Sequence, residues 1–247
     1  MAPILVLSLL AGLATTLGGL MVIRIGKLTR HVLAFFLALA AGIMLAVVVV
    51  DLIPASHASG GNEAVLYGGA AGWLFMMLLR RCVTFVLRRS PLYEEDSFRY
   101  LRLGWYVAVV TALHDIPEGM AIGAGNALHA ELGVLLSLAI GMHNLPEGMA
   151  IAVPLRLAGI SGKRVISIIT LAALFTPLGT LVGLLLFDLS PSLIGLSMSF
   201  AAGAMGYLVA RDLWPEAWHS SKVITVGGSI IGALVMLVAE YFHLHGG

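Results

Sequence analysis

The chain predicts an all-α membrane protein of eight transmembrane helices, and three observations carry that prediction. Its 247 residues are 60% hydrophobic and only 11% charged, with a mean hydropathy of +1.00; a soluble domain carries about a quarter charged residues. Apolar runs of about 20 residues, the length that crosses about 30 Å of hydrocarbon at about 1.5 Å per residue, recur along the whole sequence. The 14 basic residues fall in alternate connections between those runs, a pattern that one missed or invented helix would scramble.

The first run, 3–23, has no basic stretch before it and is long enough to span, so it reads as a helix that stays in the membrane and not as a cleaved leader. Arg24, Lys27 and Arg30 follow it, and then comes the second run, 31–53. The third, 64–87, precedes a connection with Arg80, Arg81, Arg88, Arg89, Arg99 and Arg102 around it. The fourth and fifth, 103–125 and 131–154, are joined by the few residues near 126–130 and must be antiparallel neighbours. Arg156, Lys163 and Arg164 lead into the sixth, 164–187; the seventh is 192–211, and Arg211 and Lys222 precede the eighth, 223–243. Every Lys and Arg thus surrounds an odd-numbered loop, which places those loops in the cytoplasm and both termini outside. The loops are short, so residues 1–247 form a single polytopic domain, expected in a bacterial cytoplasmic membrane.

The net charge of +1 conceals an asymmetry between faces. The outer face carries Glu63, Glu131, Asp188 and Glu240 with His57, His129, His243 and His245 and no basic residue. Such a face concentrates cations, although each residue alone is equally at home as a solvated loop side chain. Cys82 is the sole cysteine, which rules out an intrachain disulfide and a thiolate cluster.

Two segments repeat at a constant offset of 161 residues: Ala40-Ala41-Gly42-Ile43-Met44 with Ala201-Ala202-Gly203-Ala204-Met205, and Asp51-Leu52-Ile53-Pro54 with Asp212-Leu213-Trp214-Pro215. The charge alternation gives helices two and seven opposite directions, so the repeat is inverted: helices one to three against six to eight, with four and five between. Inverted repeats characterise secondary transporters with a site at mid-depth.

Helices four and five carry a second duplication. His114-Asp115-Ile116-Pro117-Glu118-Gly119 and His143-Asn144-Leu145-Pro146-Glu147-Gly148 lie 29 residues apart, and each continues Met-Ala-Ile. Positions i, i+1 and i+4 share one face of a helix, so His114, Asp115 and Glu118 converge, as do His143, Asn144 and Glu147. Counted from the turn near 126–130, both histidines lie roughly 20 to 25 Å deep, close to the midplane. Pro117 and Pro146 free the carbonyls of Leu113 and Met142 beside them.

Each carboxylate costs about 2.5 to 3.5 kcal/mol at such a depth, and neither helix offers a Lys or Arg nearby to neutralise it. Protons or a bound cation must do so. Imidazole with carboxylate and no thiolate suits Zn(II), Fe(II), Mn(II) or Cd(II) and argues against Cu(I). A lone membrane His or Glu can be explained by a hydrogen bond between helices; a duplicated constellation is better explained by a metal. Accessory candidates carry two readings each. Met44, matched to Met205, is a packing residue or a thioether contact. Asp51 and Asp212, each three residues before a proline, cap or join helices, or hand a cation into and out of the site.

These motifs resemble the Zrt/Irt-like protein (ZIP) family of divalent metal transporters along essentially the whole chain. The second motif fits the bacterial branch closely, and Asp51-Leu52-Ile53-Pro54 looks like the family's second-helix signature. The resemblance implies eight helices with both termini outside, uptake of Zn(II) or a related ion toward the cytoplasm, often a two-metal centre drawing on helices two, four, five and six, and a homodimer in the lipid. It also implies an elevator-like or rocking carrier in which helices one, four, five and six move. Two positions depart from the pattern: Asp115 stands where Asn is common, and Thr176 in Phe175-Thr176-Pro177-Leu178-Gly179 stands where many bacterial members have Glu. One carboxylate is gained and one lost, which we read as compensation. The third-loop segment Ser90 to Ser97 contains no His, so no metal sensor is expected there.

No resident prosthetic group and no nucleic-acid partner are expected. The rival functions are a metal-selective channel, a cation/proton exchanger, and an intramembrane zinc hydrolase. The last lacks the His-Glu-x-x-His spacing, because His114 and His143 are each followed four residues later by Glu.

Overall fold

A computed structural model describes residues 2–25, 29–87, 95–186 and 191–245. The expectations placed on Lys27, Arg88, Arg89, Asp188 and the 90–94 part of the third loop lie outside the described residues, as do those on the side chains of Glu240, His243 and His245. Among the described residues every regular element is helical: α1 (Ala2–Arg24), α2 (Arg30–Val47), α3 (Ile53–Leu87), α4 (Glu95–Leu128), α5 (Ala130–Leu157), α6 (Gly162–Ala173), α7 (Phe175–Leu186), α8 (Pro191–Leu208), α9 (Trp214–Ser220) and α10 (Lys222–His245). Single π-helical turns, Val48–Leu52 and Val209–Leu213, join α2 to α3 and α8 to α9.

Five stretches are long and apolar enough to cross a membrane: Ala2–Arg24, Arg30–Cys82, Gly133–Leu157, Gly162–Leu185 and Ser192–Ser220. The chain is therefore an integral membrane protein. α4 falls outside that set because the polar residues it carries lower its hydropathy, and α10 contributes a shorter apolar stretch, Lys222–Val238.

The observed boundaries differ from the sequence expectation where proline and glycine act. Residues 54–60 read as loop, yet the chain stays helical through them and breaks only at Gly61 (φ 67°), a left-handed conformation that glycine adopts without a Cβ penalty. The run 164–187 is two helices. Pro177 has no N–H to give the carbonyl of Ala173, and the helix interrupts at Leu174. The seventh run continues past 211 through the π-turn to Ser220. Both π-turns end shortly before a proline, Pro54 or Pro215, whose ring would collide with the carbonyl four residues back in a regular helix; the wider turn makes room. The offset of 161 residues that relates the two sequence segments also relates these two turns, residue for residue. α4 begins eight residues before 103 because hydropathy marks the part of a helix inside the membrane, and Arg99 and Arg102 extend it beyond.

Packing is pairwise: α1 lies on α5, α4 on α7, α2 on α10, α3 on α8, and α4 on α5. Buried hydroxyls join these pairs. Ser229 on α10 donates to the carbonyl of Ala38 at 3.1 Å, and Ser199 on α8 donates to that of Ala64 at 2.6 Å. In lipid, where no water competes, such contacts and close small-residue packing hold helices together. The central core gathers α2, α4, α5 and α8 around Leu37, Met44, Ile151 and Met205, and the twin motifs of α4 and α5 lie within this bundle.

Candidate metal centre

Both motif helices run unbroken through Pro117 and Pro146, and the glycine after each motif allows a neighbouring helix to approach. A Cβ on Gly148 would collide with the backbone carbonyl of Thr15 on α1, and one on Gly119 with that of Thr176 on α7. The motifs therefore face each other with a helix pressed against the back of each.

The structure buries His114, Asp115, Glu118, His143, Asn144 and Glu147 and brings five of them, all but Asn144, into contact with one another. The pairing is crossed. His114 Nε2 on α4 lies 3.2 Å from Glu147 Oε1 on α5, and His143 Nε2 on α5 lies 2.9 Å from Glu118 Oε2 on α4. His114 Nε2 is also 3.6 Å from Asp115 Oδ1. One donor atom each from His114, Asp115 and Glu118 falls within 4.8 Å of the others, a spread that a single cation can close by small rotamer changes.

The two motif positions after the histidines are used differently. Asp115 Oδ2 accepts a hydrogen bond from Thr176 Oγ1 at 3.2 Å. Asn144 Nδ2 instead donates to the carbonyl of Ala11 on α1 at 3.0 Å, which ties α5 to α1. Asp115 Oδ1, Glu118 Oε1 and Asn144 Oδ1 have no hydrogen-bond partner and are fully buried. An orphaned buried oxygen costs free energy. The two carboxylate oxygens, beside the imidazoles of His114 and His143, make a donor set suited to a divalent cation, with hard oxygen and borderline nitrogen ligands.

Of the accessory candidates, Met44 is packed in the apolar core with Met205. Asp51 lies in the first π-turn and lines a cavity of about 310 Å³ that reaches Glu118 and His143. Met198 and Met236, which the sequence did not single out, line it too. Asp212 lies in the second π-turn, where its Oδ1 pairs with Arg80 Nε at 3.1 Å. This contact joins α3 to the π-turn that follows α8.

Sequence reasoning also missed α1. Thr15 is fully buried with an unpartnered hydroxyl, and it packs against Gly148 as Thr176 packs against Gly119. The signal was present: the 161-residue offset continues through Ala11/Ala172, Leu13/Leu174, Thr15/Thr176 and Gly18/Gly179.

Imidazole and carboxylate groups gathered inside an apolar helical bundle mark a membrane protein that handles cations. Residues 92–240 match the family described as ZIP zinc transporter. The chain is 34% identical over 254 residues to the zinc transporter ZupT of Chlorobium luteolum, covering 95% of this chain and 96% of that one. It is 33% identical over 261 residues to ZupT of Chlorobium phaeovibrioides, covering 96% of both. ZupT of Corynebacterium glutamicum is 34% identical over 252 residues, 94% of this chain and 96% of the relative. The protein belongs to the ZIP zinc transporter family, and so to the transporters of divalent metal ions and not to the enzymes.

Proposed function

We propose that this protein is a secondary transporter of Zn(II), with Fe(II), Mn(II) or Cd(II) as further candidates, which moves its ion toward the cytoplasm of a bacterial cell. The observation that carries the reading is the crossed arrangement of two His–Glu pairs, buried between α4 and α5, with a cavity reaching the His143–Glu118 pair. His114, Asp115, Glu118, His143 and Glu147 serve as ligands. Asn144 holds α5 against α1 through the carbonyl of Ala11 and offers its Oδ1 to the site.

The proposed topology is one domain of eight spans, with α2 and α3 divided at Gly61, α6 with α7 as one span and α8 with α9 as another. The matched π-turns and the paired packing of α1 on α5 with α4 on α7, and of α2 on α10 with α3 on α8, support an inverted repeat. In this orientation the cavity beside Asp51 opens outward, because it lies on the 121 side of α4 and the 136 side of α5. A cation enters past Asp51, meets Glu118 and His143, and then engages His114, Glu147 and Asp115. Beyond the cluster Val107, Val110, Ile151 and Val153 are packed in the buried core, so release on this reading requires rearrangement of the helices, as alternating access demands.

Zn(II) uptake into proteoliposomes tests this reading. A carrier gives flux that saturates with concentration; flux that rises linearly makes the protein a channel. Direction and proton coupling follow from repeating the measurement with imposed pH gradients of either sign. Glu118→Gln and His143→Ala are expected to abolish the saturable component, and retention of full flux in both overturns the site.

A further inference from the structure

We propose that the cytoplasmic end of the bundle carries a binding pocket for a phosphate-bearing anion, and that its occupant is the headgroup of an anionic phospholipid. A cavity of about 180 Å³ opens between the ends of α3, α4 and α9. Its distance from the metal cluster is large: Arg102 in its wall and Glu118 in the cluster are 16 residues apart on α4, about 24 Å along the helix. Arg80, Arg99, Arg102 and Arg211 line it, against only two carboxylates, Asp212 and Glu216. Four guanidinium groups facing two carboxylates leave an excess of two positive charges in a concave site, and the guanidinium fork matches phosphate oxygens.

The two carboxylates are already engaged. Arg80 holds Asp212, and Arg99 donates to a single oxygen of Glu216 through Nη2 at 2.7 Å and Nε at 2.8 Å. Arg102 and Arg211 also act on Asp212 electrostatically, so all four arginines are preset by the two carboxylates while the pocket keeps an excess of positive charge. A cavity so lined repels Zn(II), which separates it from the transport path.

A second observation identifies the source of the anion. α9 contributes one face to the pocket through Glu216 and His219. On the same helix Trp214 and Trp218 stack with ring centroids 6.3 Å apart, both more than a third exposed, and Lys222 Nζ lies 5.7 Å over the Trp218 ring. Exposed tryptophans with an adjacent lysine belong at the headgroup level of a membrane. Basic pockets between helices at that level on the cytoplasmic side take acidic headgroups. The placement rests on the proposed orientation, with odd loops in the cytoplasm. A bound headgroup would compete with Asp212 and Glu216 for Arg80 and Arg99 and loosen the contacts that tie α3 and α4 to α8 and α9. Lipid composition would then set the ease of rearrangement at this end.

The full chain in detergent, titrated without metal with phosphatidylglycerol, phosphatidylcholine or inorganic phosphate while its thermal unfolding is followed, tests the proposal. Phosphatidylglycerol is expected to stabilise saturably and phosphatidylcholine not. In the Arg102→Gln/Arg211→Gln variant, which keeps both ion pairs, the apparent affinity should fall roughly ten- to thirtyfold. Arg102→Lys/Arg211→Lys, which keeps the charge without the guanidinium fork, should recover part of it, and an unchanged melting temperature of both variants without lipid excludes a folding defect. Equal response to the two lipids, or wild-type affinity in the glutamine variant, overturns the site. Inorganic phosphate acting at the same concentrations as the lipid would uphold the phosphate pocket and overturn the lipid as its occupant. Calorimetry with Zn(II) on the same samples reports the metal centre separately, so either reading can fail without the other.

Discussion

At the scale of single residues, the expectation that Asp115 compensates for Thr176 acquires a geometry that makes it testable. Thr176 lies against Asp115 at 3.2 Å, so a carboxylate at either position reaches the same space. Asp115→Asn is expected to weaken Zn(II) binding by about ten- to hundredfold, the size of effect seen when groups around a metal are altered. Adding Thr176→Glu to that variant should restore most of the loss. Thr176→Glu alone should gain little, because two buried carboxylates side by side repel. Calorimetric titration of the three variants settles the matter: a double variant that binds no better than Asp115→Asn removes the idea of compensation.

At the scale of elements, glycine position decides how closely helices approach, and two glycines predict opposite outcomes. A methyl group on Gly148 meets the rigid backbone carbonyl of Thr15, so Gly148→Ala should force α1 away from α5 and destabilise the protein by about 1–3 kcal/mol. Gly227, within α10, has open space around it, so Gly227→Ala should be neutral or stabilising by up to about 1 kcal/mol through helix propensity. Thermal unfolding in detergent checks both, and a Gly148→Ala protein as stable as Gly227→Ala would mean the approach of α1 is not tight. The two π-turns are likewise local solutions to Pro54 and Pro215, and they place Asp51 and Asp212 at matched points of the two repeat segments in different surroundings. Asp51 lines the cavity that reaches the metal cluster, whereas Asp212 is held by Arg80.

At the scale of the whole molecule, the two ends of the bundle have become chemically distinct. One end offers a cavity with Asp51, Glu118 and His143; the other gathers arginines. A cation is attracted by the carboxylates of the first and repelled by the arginines of the second, which is the electrostatic basis of the proposed side of entry. At the proposed site, metal binding would require His114 and His143 to be deprotonated and the carboxylates ionised. Protons therefore compete with the ion, and Zn(II) affinity should fall as pH is lowered from about 7.5 to about 5.5. Uptake measured across that range at sub-saturating Zn(II) checks the sign, and uptake that rises on acidification without an imposed gradient contradicts it.

What the sequence determined by itself was the all-helical membrane character, the duplicated motif and the 161-residue offset, because hydropathy, charge and helical period are local properties that survive without a fold. It also determined that the two motifs can meet, since a turn of a few residues leaves α4 and α5 no other arrangement. The crossed pairing of His114 with Glu147 and His143 with Glu118 was decided only by tertiary structure, because it depends on how the two helices are rotated about their axes. The same holds for the fixing of Asn144 by α1, the contact between Thr176 and Asp115, and the arginine pocket. Each joins residues from 25 to more than 130 positions apart, and no periodicity in a chain records which backs of helices come to rest together.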